Sequence, residues 1–250
     1  LSQMVFHNRF FPSILRAKQL MDEGRLGDLL SFDVRYNQSG AIDRQKPAGW
    51  KQLESAGVLL DLGSHALDML TFLAGYPARG LCRLRTLYPQ RPAPGGGVVT
   101  DLADDQAVML LEMPGGAVGT VSASKIATGS EDELSFELYG DRGALRWRLM
   151  EADYLEFYDN TLPEAAFGGR RGFTRIASTG RFPAPGGAFL PPKNRVGWDR
   201  AHMHCYFSFL DCVHRGVAAS PDLYEGAKLQ RLMDAMAASH RSGAWVDFDG

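Results

Sequence analysis

The stretch GVLLDLGSHALD, residues 57–68, sets the pattern from which the rest of the chain can be interpreted. On an α-helix, where successive residues turn by about 100°, Asp61, His65 and Asp68 fall in one stripe roughly 60° wide. The other positions are almost all apolar, whereas a surface helix shows a limited apolar stripe and a wide polar face. We therefore predict that this helix, about residues 57–74, is mostly buried and that its polar stripe faces a partner, water or a ligand.

His65 and Asp61 have a chemical use that depends on their spacing. A carboxylate one helical turn from an imidazole orients the ring and favours its charged form, so that the ring can exchange a proton near neutral pH. The alternative is a buried histidine whose hydrogen bonds are satisfied by neighbouring carboxylates and which performs no chemistry. The spacing alone leaves both interpretations open.

The segments around this helix predict the fold class. From Leu30 to Asn37, apolar and polar residues alternate, which is the pattern of a half-buried strand. From Asp105 to about residue 158, short apolar runs are separated by tight turns that leave no room for crossover helices. We therefore predict an α+β fold, with an open, mainly antiparallel β-sheet and helices packed on one face.

The last third of the chain is predicted to be a long loop followed by helices. Residues 159–198 are rich in glycine, proline and arginine, and a connection of that length is usually functional or disordered. Two helices, at about 199–215 and 222–240, follow it. A last short strand through Val246 is expected to close the chain.

Composition limits the classes of function. The 27 basic and 29 acidic residues are scattered, so we expect no nucleic-acid partner. No apolar stretch approaches the roughly 20 residues of a membrane-spanning helix, so we expect no membrane association. Three scattered cysteines favour a reducing compartment and hence a cytoplasmic protein. His202 and His204 point about 200° apart on a helix, so we expect no metal site there.

The string Ala56-Gly57-x-x-x-Asp61-x-Gly63-x-His65-x-x-Asp68 resembles the GGxxxDxGxHxxD signature of the Gfo/Idh/MocA oxidoreductases, the family of glucose–fructose oxidoreductase and inositol dehydrogenase. The resemblance covers essentially the whole chain, with further motifs in the family's order: Asn8-Arg9-Phe10, Asp104-Asp105, the turn at 114–117 and Tyr139-Gly140-x-x-Gly143-Ala144-Leu145. It implies NAD(P)-dependent oxidation or reduction at a secondary alcohol of a sugar, inositol or related polyol. It also implies that His65 is the catalytic acid/base and that Asp61 orients it and contacts the sugar.

The chain departs from the family pattern at its beginning. The family's glycine-rich phosphate loop, which follows a first strand, and its Glu-Lys-Pro motif, whose lysine joins the catalytic group, have no counterpart in the sequence. We therefore expect residues 1–27, a strand at 4–7 and a helix from Pro12, to be a remnant of a dinucleotide-binding domain. Residues 28–250 are expected to be the substrate-binding and oligomerisation domain.

The missing phosphate loop and Glu-Lys-Pro motif also determine what we expect of cofactor binding. The intact protein is expected to use NAD or NADP, and the residues that bind it stay unassigned. This chain alone is expected to bind neither nucleotide and to be inactive as a dehydrogenase.

Three further residues are candidates for contact with the substrate. Trp50, in the loop before the signature helix, would stack on a sugar or cover the site, the alternative being an aromatic side chain that anchors its loop. Lys125, near a strand end, would reach substrate hydroxyl groups unless it is an ordinary exposed lysine. Arg9, at the expected domain junction, would face substrate or cofactor. The resemblance also implies a homo-oligomer formed through the open face of the sheet.

Two other functions remain open from the sequence. One is a non-catalytic sugar-binding or oligomerisation module that lacks the cofactor domain. The other is a relative that uses the nicotinamide transiently to cleave a glycosidic bond.

Overall fold

The computed structural model describes residues 1–52, 56–100, 102–179, 194–195 and 197–248. In chain order, the elements are α1 (Pro12–Asp22), β1 (Leu29–Asn37), α2 (Gly57–Ala74), β2 (Arg79–Arg85), β3 (Arg91–Pro92), β4 (Val98–Val99), β5 (Gln106–Glu112), β6 (Val118–Ser124), β7 (Glu133–Gly140), β8 (Gly143–Arg148), β9 (Tyr154–Asp159), β10 (Phe173–Ala177), α3 (Trp198–Arg215), α4 (Leu223–Ser242) and β11 (Val246–Asp247). Short 3-10 turns at His7–Phe10 and Trp50–Gln52 precede α1 and α2.

Among the described residues, one open sheet has the strand order β10-β9-β8-β7-β1-β6-β5-β2-β11. Its neighbouring strands are antiparallel except β1 and β6, which run parallel with Val34 opposite Val121. The strands β3 and β4 form a separate small hairpin. The predicted α+β fold with a mainly antiparallel sheet is confirmed.

The helices cover one face of this sheet. The helix α2 crosses β1, β5 and β6, α4 lies over β2, and α1 packs beside α2 and β9. Side chains from both layers, such as Phe11, Leu67 and Phe136, belong to one buried core. By length and composition alone α2 could span a membrane, but 67% of it is buried inside the fold. The prediction of a mostly buried helix at 57–74 is therefore confirmed.

The N-terminus of α2 is capped from a distant part of the chain. Ala56, at the N-cap position, makes no side-chain cap bond. Instead Asp104, just before β5, accepts the Leu59 N–H through Oδ2 at 2.8 Å and the Val58 N–H through its carbonyl at 2.9 Å. Gly57 has a φ of +52°, and a Cβ there would collide with the Asp104 carboxylate. The second glycine of the signature is thus required by backbone conformation and by close packing.

The first six residues form no strand, contrary to the prediction for residues 4–7. The Met4 N–H donates to the carbonyl of Pro221 at 2.7 Å, which ties this segment to the start of α4 rather than to a sheet edge. The chain then enters the 3-10 turn at His7–Phe10. The predicted helix is confirmed and begins at Pro12.

Leu30 was predicted to face inward as the first apolar residue of its strand, and this is wrong. The register shifts between Leu29 and Ser31, and Leu30 is 57% exposed. Phe32 and Val34, further along β1, are buried as the alternation predicts.

The predicted loop at 159–198 is also corrected. Residues Phe173–Ala177 form β10, which pairs antiparallel with β9 and extends the sheet by one strand. Residues 180–193 and 196 lie outside the described part of the chain. The two closing helices and the last strand are confirmed as α3, α4 and β11.

Candidate active site

Asp61 lies on α2 where the parallel strands β1 and β6 both end. The Lys51 Nζ donates to both oxygens of its carboxylate, at 2.9 and 3.0 Å. The Nζ of Lys125, just after β6, lies 3.1 Å from Oδ2. Burial favours the neutral acid, but the two ammonium groups outweigh it and hold the pKa of Asp61 below its ordinary value. Asp61 is therefore a fixed negative charge.

His65, one turn further along α2, is surrounded by aromatic rings. Its ring meets those of Phe6, His7 and Tyr36 edge-on, at centroid distances of 5.8, 5.7 and 6.1 Å. Within the described residues, its buried Nδ1 has no hydrogen-bond partner. Burial outweighs the attraction of the nearby carboxylates and lowers the pKa of His65. The imidazole is therefore neutral near pH 7 and able to accept a proton.

The spacing of Asp61 and His65 suggests that the carboxylate orients the imidazole directly, and the structure shows a different arrangement. The Asp61 carboxylate binds the two lysines, whereas the imidazole of His65 is in contact with aromatic rings. Asp61 acts on His65 through its charge, which favours the protonated ring.

A second carboxylate also acts on His65. Asp132, in the turn before β7, accepts hydrogen bonds at Oδ1 from the Tyr36 hydroxyl at 2.8 Å and from the Gln38 amide at 2.7 Å. Its charge, like that of Asp61, favours protonation of His65. Tyr36 therefore connects Asp132 to the imidazole.

An open cavity of about 680 Å³ adjoins this group. Asp132 and Trp198 line it, together with Phe11, Tyr154 and Arg175 among others. Asp132 bonds to Tyr36 and Trp198 contacts His7, so the cavity lies one residue away from the rings that contact His65. Asp61 and His65 are themselves only partly buried, so this end of the polar stripe of α2 is not sealed inside the core.

Two more rings, those of His202 and Trp198, pack against His7. The rings of His7 and His202 stack with centroids 3.7 Å apart, and the Trp198 ring lies 4.0 Å from His202 and 5.5 Å from His7. Burial and the neighbouring imidazoles lower the pKa of His7 to about 3. Within the described residues, no cluster of histidine, cysteine or acidic side chains has the arrangement of a metal site.

The structure places the three predicted substrate contacts in different surroundings. Trp50 is 70% exposed, with the Lys51 Nζ 5.4 Å from its ring. Lys125 is buried rather than an ordinary exposed lysine, and it faces Asp61. These two side chains therefore lie beside the Asp61–His65 pair.

Arg9, the third predicted contact, is in a structural ion pair. Its guanidinium donates to both oxygens of Asp68, at 2.6 to 3.1 Å, and to Glu225 at 2.8 Å. The ring of Phe72 lies 4.8 Å from its Cζ. Arg9 thus fastens the N-terminal turn to α2 and α4, and Asp68, although in the polar stripe, serves this buried pair. We leave Arg9 out of the proposed site.

The arrangement suits proton transfer to or from a neutral ligand. A neutral imidazole can accept a proton, and the charges of Asp61 and Asp132 favour the resulting cation, whereas the charge of Lys51 opposes it. A dinucleotide site is not evident in the described residues. Their one parallel strand pair, β1 and β6, is not joined by a glycine-rich loop and a single crossover helix.

Several site residues carry no sequence signal of their own. Lys51, Asp132 and His7 lie in turns, outside the helical periodicity that identified Asp61 and His65. His202, which its sequence spacing from His204 makes unsuitable as a metal ligand, stacks on His7 in the structure. Only the tertiary fold assembles these side chains.

The sequence matches the GFO/IDH/MocA C-terminal domain over residues 14–146, more than half of the chain. Levoglucosan dehydrogenase from Pseudarthrobacter phenanthrenivorans is 26% identical over 98% of this chain and 66% of its own length. The scyllo-inositol 2-dehydrogenase (NADP(+)) of Bacillus subtilis is 38% identical over 29% of this chain and 20% of its own length.

A solved structure of levoglucosan dehydrogenase in complex with NADH and levoglucosan has the same fold. It superposes with a TM-score of 0.91 at 27% identity, over 100% of this chain and 67% of that one. The chain thus spans about two thirds of the length of this dehydrogenase.

Proposed function

Since the chain belongs to the Gfo/Idh/MocA oxidoreductase family, we propose that it forms the substrate-binding part of an NAD(P)-dependent oxidoreductase. The proposed substrate is a secondary alcohol of a sugar, inositol or related polyol. One observation carries this proposal: an ionised Asp61 and a neutral His65 lie on one face of α2, and both side chains are only partly buried. The names of the relatives, which act on levoglucosan and scyllo-inositol, support the substrate class.

His65 is the proposed acid/base. Oxidation of a secondary alcohol removes a hydride from carbon and a proton from oxygen. A bound NAD(P) would supply the acceptor for the hydride. His65 accepts the hydroxyl proton during oxidation and returns it during reduction. Asp61 and Asp132 favour the charged imidazole that forms in between.

Lys125, Asp61 and Trp50 are the proposed contacts to the rest of the substrate. The Lys125 ammonium and the Asp61 carboxylate offer a donor and an acceptor side by side, which suits neighbouring hydroxyl groups. The exposed ring of Trp50 offers an apolar surface on which a sugar face can stack.

The organisation of the whole protein is also part of the proposal. Residues 1–27 are proposed to be the remnant of a dinucleotide-binding domain, and residues 28–250 the substrate domain. In this structure the apolar side chains of α1 nevertheless belong to the same buried core as those of the sheet. We further propose a cytoplasmic protein that forms a homo-oligomer and has no nucleic-acid or membrane partner.

The test is turnover of a protein in which a dinucleotide-binding domain precedes this chain. Oxidation of levoglucosan and of scyllo-inositol is followed through NADH or NADPH absorbance. His65→Ala should lower turnover by about two to four orders of magnitude, the usual contribution of a general acid/base. The control is His214→Ala, which alters an exposed histidine at the far end of α3.

Two results would overturn this proposal in different ways. Turnover of His65→Ala within a few-fold of the unaltered protein would make His65 a structural residue. Saturable polyol binding without any turnover would instead favour a non-catalytic sugar-binding module.

A further inference from the structure

A continuous path of aromatic contacts leads from α3 to His65. Trp198 contacts His202, His202 stacks on His7, and His7 meets His65 edge-on. We call His7, His202 and Trp198 the ring stack. Its members come from the N-terminal turn and from α3, so two separate elements meet behind one imidazole of α2.

We propose that His7 is a positioning residue for His65, whose ring it holds edge-on and shields from water, with His202 and Trp198 supporting it from behind. The proposal rests on the proposed function only in so far as it makes His65 the acid/base. A neutral imidazole that transfers protons needs a fixed orientation. No side chain within the described residues supplies it through a hydrogen bond to Nδ1.

His7 contributes packing rather than a hydrogen bond to His65, and its ring makes a hydrogen bond with the backbone of Val5 instead. It is 7% exposed, and its buried Nε2 has no hydrogen-bond partner within the described residues. A buried, unpaired ring nitrogen is costly, so the benefit of a ring at this position must lie in its contacts. Those contacts are with His65, His202 and Trp198.

The other groups that face His65 have different roles. Asp61 from the same helix and Asp132 from the turn before β7 favour its protonation, while Lys51 from the Trp50–Gln52 turn and His202 from α3 oppose it. Tyr36 from β1 meets its ring edge-on and donates its hydroxyl to Asp132. Removing the His7 ring leaves the charged groups in place and mainly changes the access of water to His65.

The experiment measures the pKa of His65 in the 250-residue chain by NMR titration of the histidine ring signals, with His65→Asn used for assignment. His7→Ala removes the ring, and His7→Phe keeps an aromatic ring without a nitrogen. We expect His7→Ala to raise the pKa of His65 by about one unit toward its ordinary value as water enters. We expect His7→Phe to leave it unchanged and His202→Ala to raise it by a smaller amount.

Two outcomes would overturn the proposal. One is an unchanged pKa of His65 in a folded His7→Ala chain. The other is an equal rise in His7→Phe and His7→Ala, which would make the His7 nitrogen rather than its ring the active element. If His7→Ala does not fold, the comparison of His202→Phe with His202→Ala decides, because both remove the imidazole that opposes protonation of His65 and only His202→Ala also removes the ring that supports His7.

A kinetic measurement separates positioning from the proposed function. In the protein with a dinucleotide-binding domain, His7→Ala should lower kcat about tenfold with little change in the KM for the polyol, and His7→Phe should restore kcat. A parallel rise in KM without a change in kcat would indicate a substrate contact and overturn the positioning role. If no polyol is oxidised at all, the oxidoreductase proposal fails, while the NMR result still decides whether His7 positions His65.

Discussion

At the scale of single residues, the buried His7 should make the fold sensitive to acid. Its pKa is lowered to about 3 in the folded protein, whereas an unfolded chain binds the same proton near 6.5. Below pH 6.5 the unfolded state therefore binds more protons, and stability should fall progressively as the pH falls from about 6.5 toward 3. His65, whose pKa is also lowered, adds to the same trend. The measurement is the free energy of unfolding in urea at pH 7.5 and pH 5.

His7→Phe is the matched variant for this prediction. It keeps a ring in the same space and removes the titrating nitrogen, so its loss of stability between pH 7.5 and pH 5 should be smaller than that of the unaltered chain. An identical loss in the two proteins would show that other groups dominate the acid response.

The site shows which single residues a sequence can identify and which it cannot. Helical periodicity identified Asp61 and His65 because both lie on one regular element whose geometry is known in advance. The same periodicity included Asp68, but its partner is Arg9, and nothing local shows that these two side chains meet 59 positions apart. Lys51 and Asp132 reach the site from turns, so their roles depend on the tertiary fold.

At the scale of elements, the start of α2 depends on a carboxylate from another segment. Asp104→Ala removes the acceptor of the Leu59 N–H and should destabilise the fold by about 1 to 2 kcal/mol, the usual cost of a lost helix cap. Asp104→Asn keeps an acceptor and should cost less. Urea unfolding of the three proteins tests this expectation. Equal stability of Asp104→Ala and the unaltered chain would mean that the backbone bond to Val58 suffices as a cap.

Elements with a regular spacing of apolar residues, or with clear turn residues at their ends, were predicted correctly. Elements without these signals were not. The helix α2 and strands β5 to β8 follow simple patterns and were correct. The strand β10 lies in a segment rich in glycine and arginine, and it exists because β9 offers it an edge. The misplaced Leu30 reflects a shift in pairing with β7 that no local pattern contains. In both cases the pairing with a neighbouring strand, rather than the local sequence, determined the structure.

At the scale of the whole molecule, the described residues offer no glycine-rich turn between a strand and a helix that would hold a dinucleotide. We therefore expect the 250-residue chain to show no saturable binding of NADH or NADPH by calorimetry. The same chain preceded by a dinucleotide-binding domain is the control and should bind one of them. Micromolar affinity of the chain alone for NADH or NADPH would refute the proposal that a separate domain binds the cofactor.

The face of the sheet opposite the helices carries an exposed apolar patch. Val108 and Leu110 on β5 and Val118 on the neighbouring β6 are 43%, 36% and 41% exposed. Large apolar side chains left exposed on one face of a sheet favour association, and we expect the chain to form a homo-oligomer through this face. Replacing both Leu110 and Val118 with arginine should yield a monomer in analytical ultracentrifugation, because two charges would be buried against their own copies. Val213→Arg, on the exposed side of α3, is the control and should leave the oligomer intact. If the unaltered chain is a monomer, the proposed homo-oligomer does not exist. If the double variant still associates, the interface lies elsewhere.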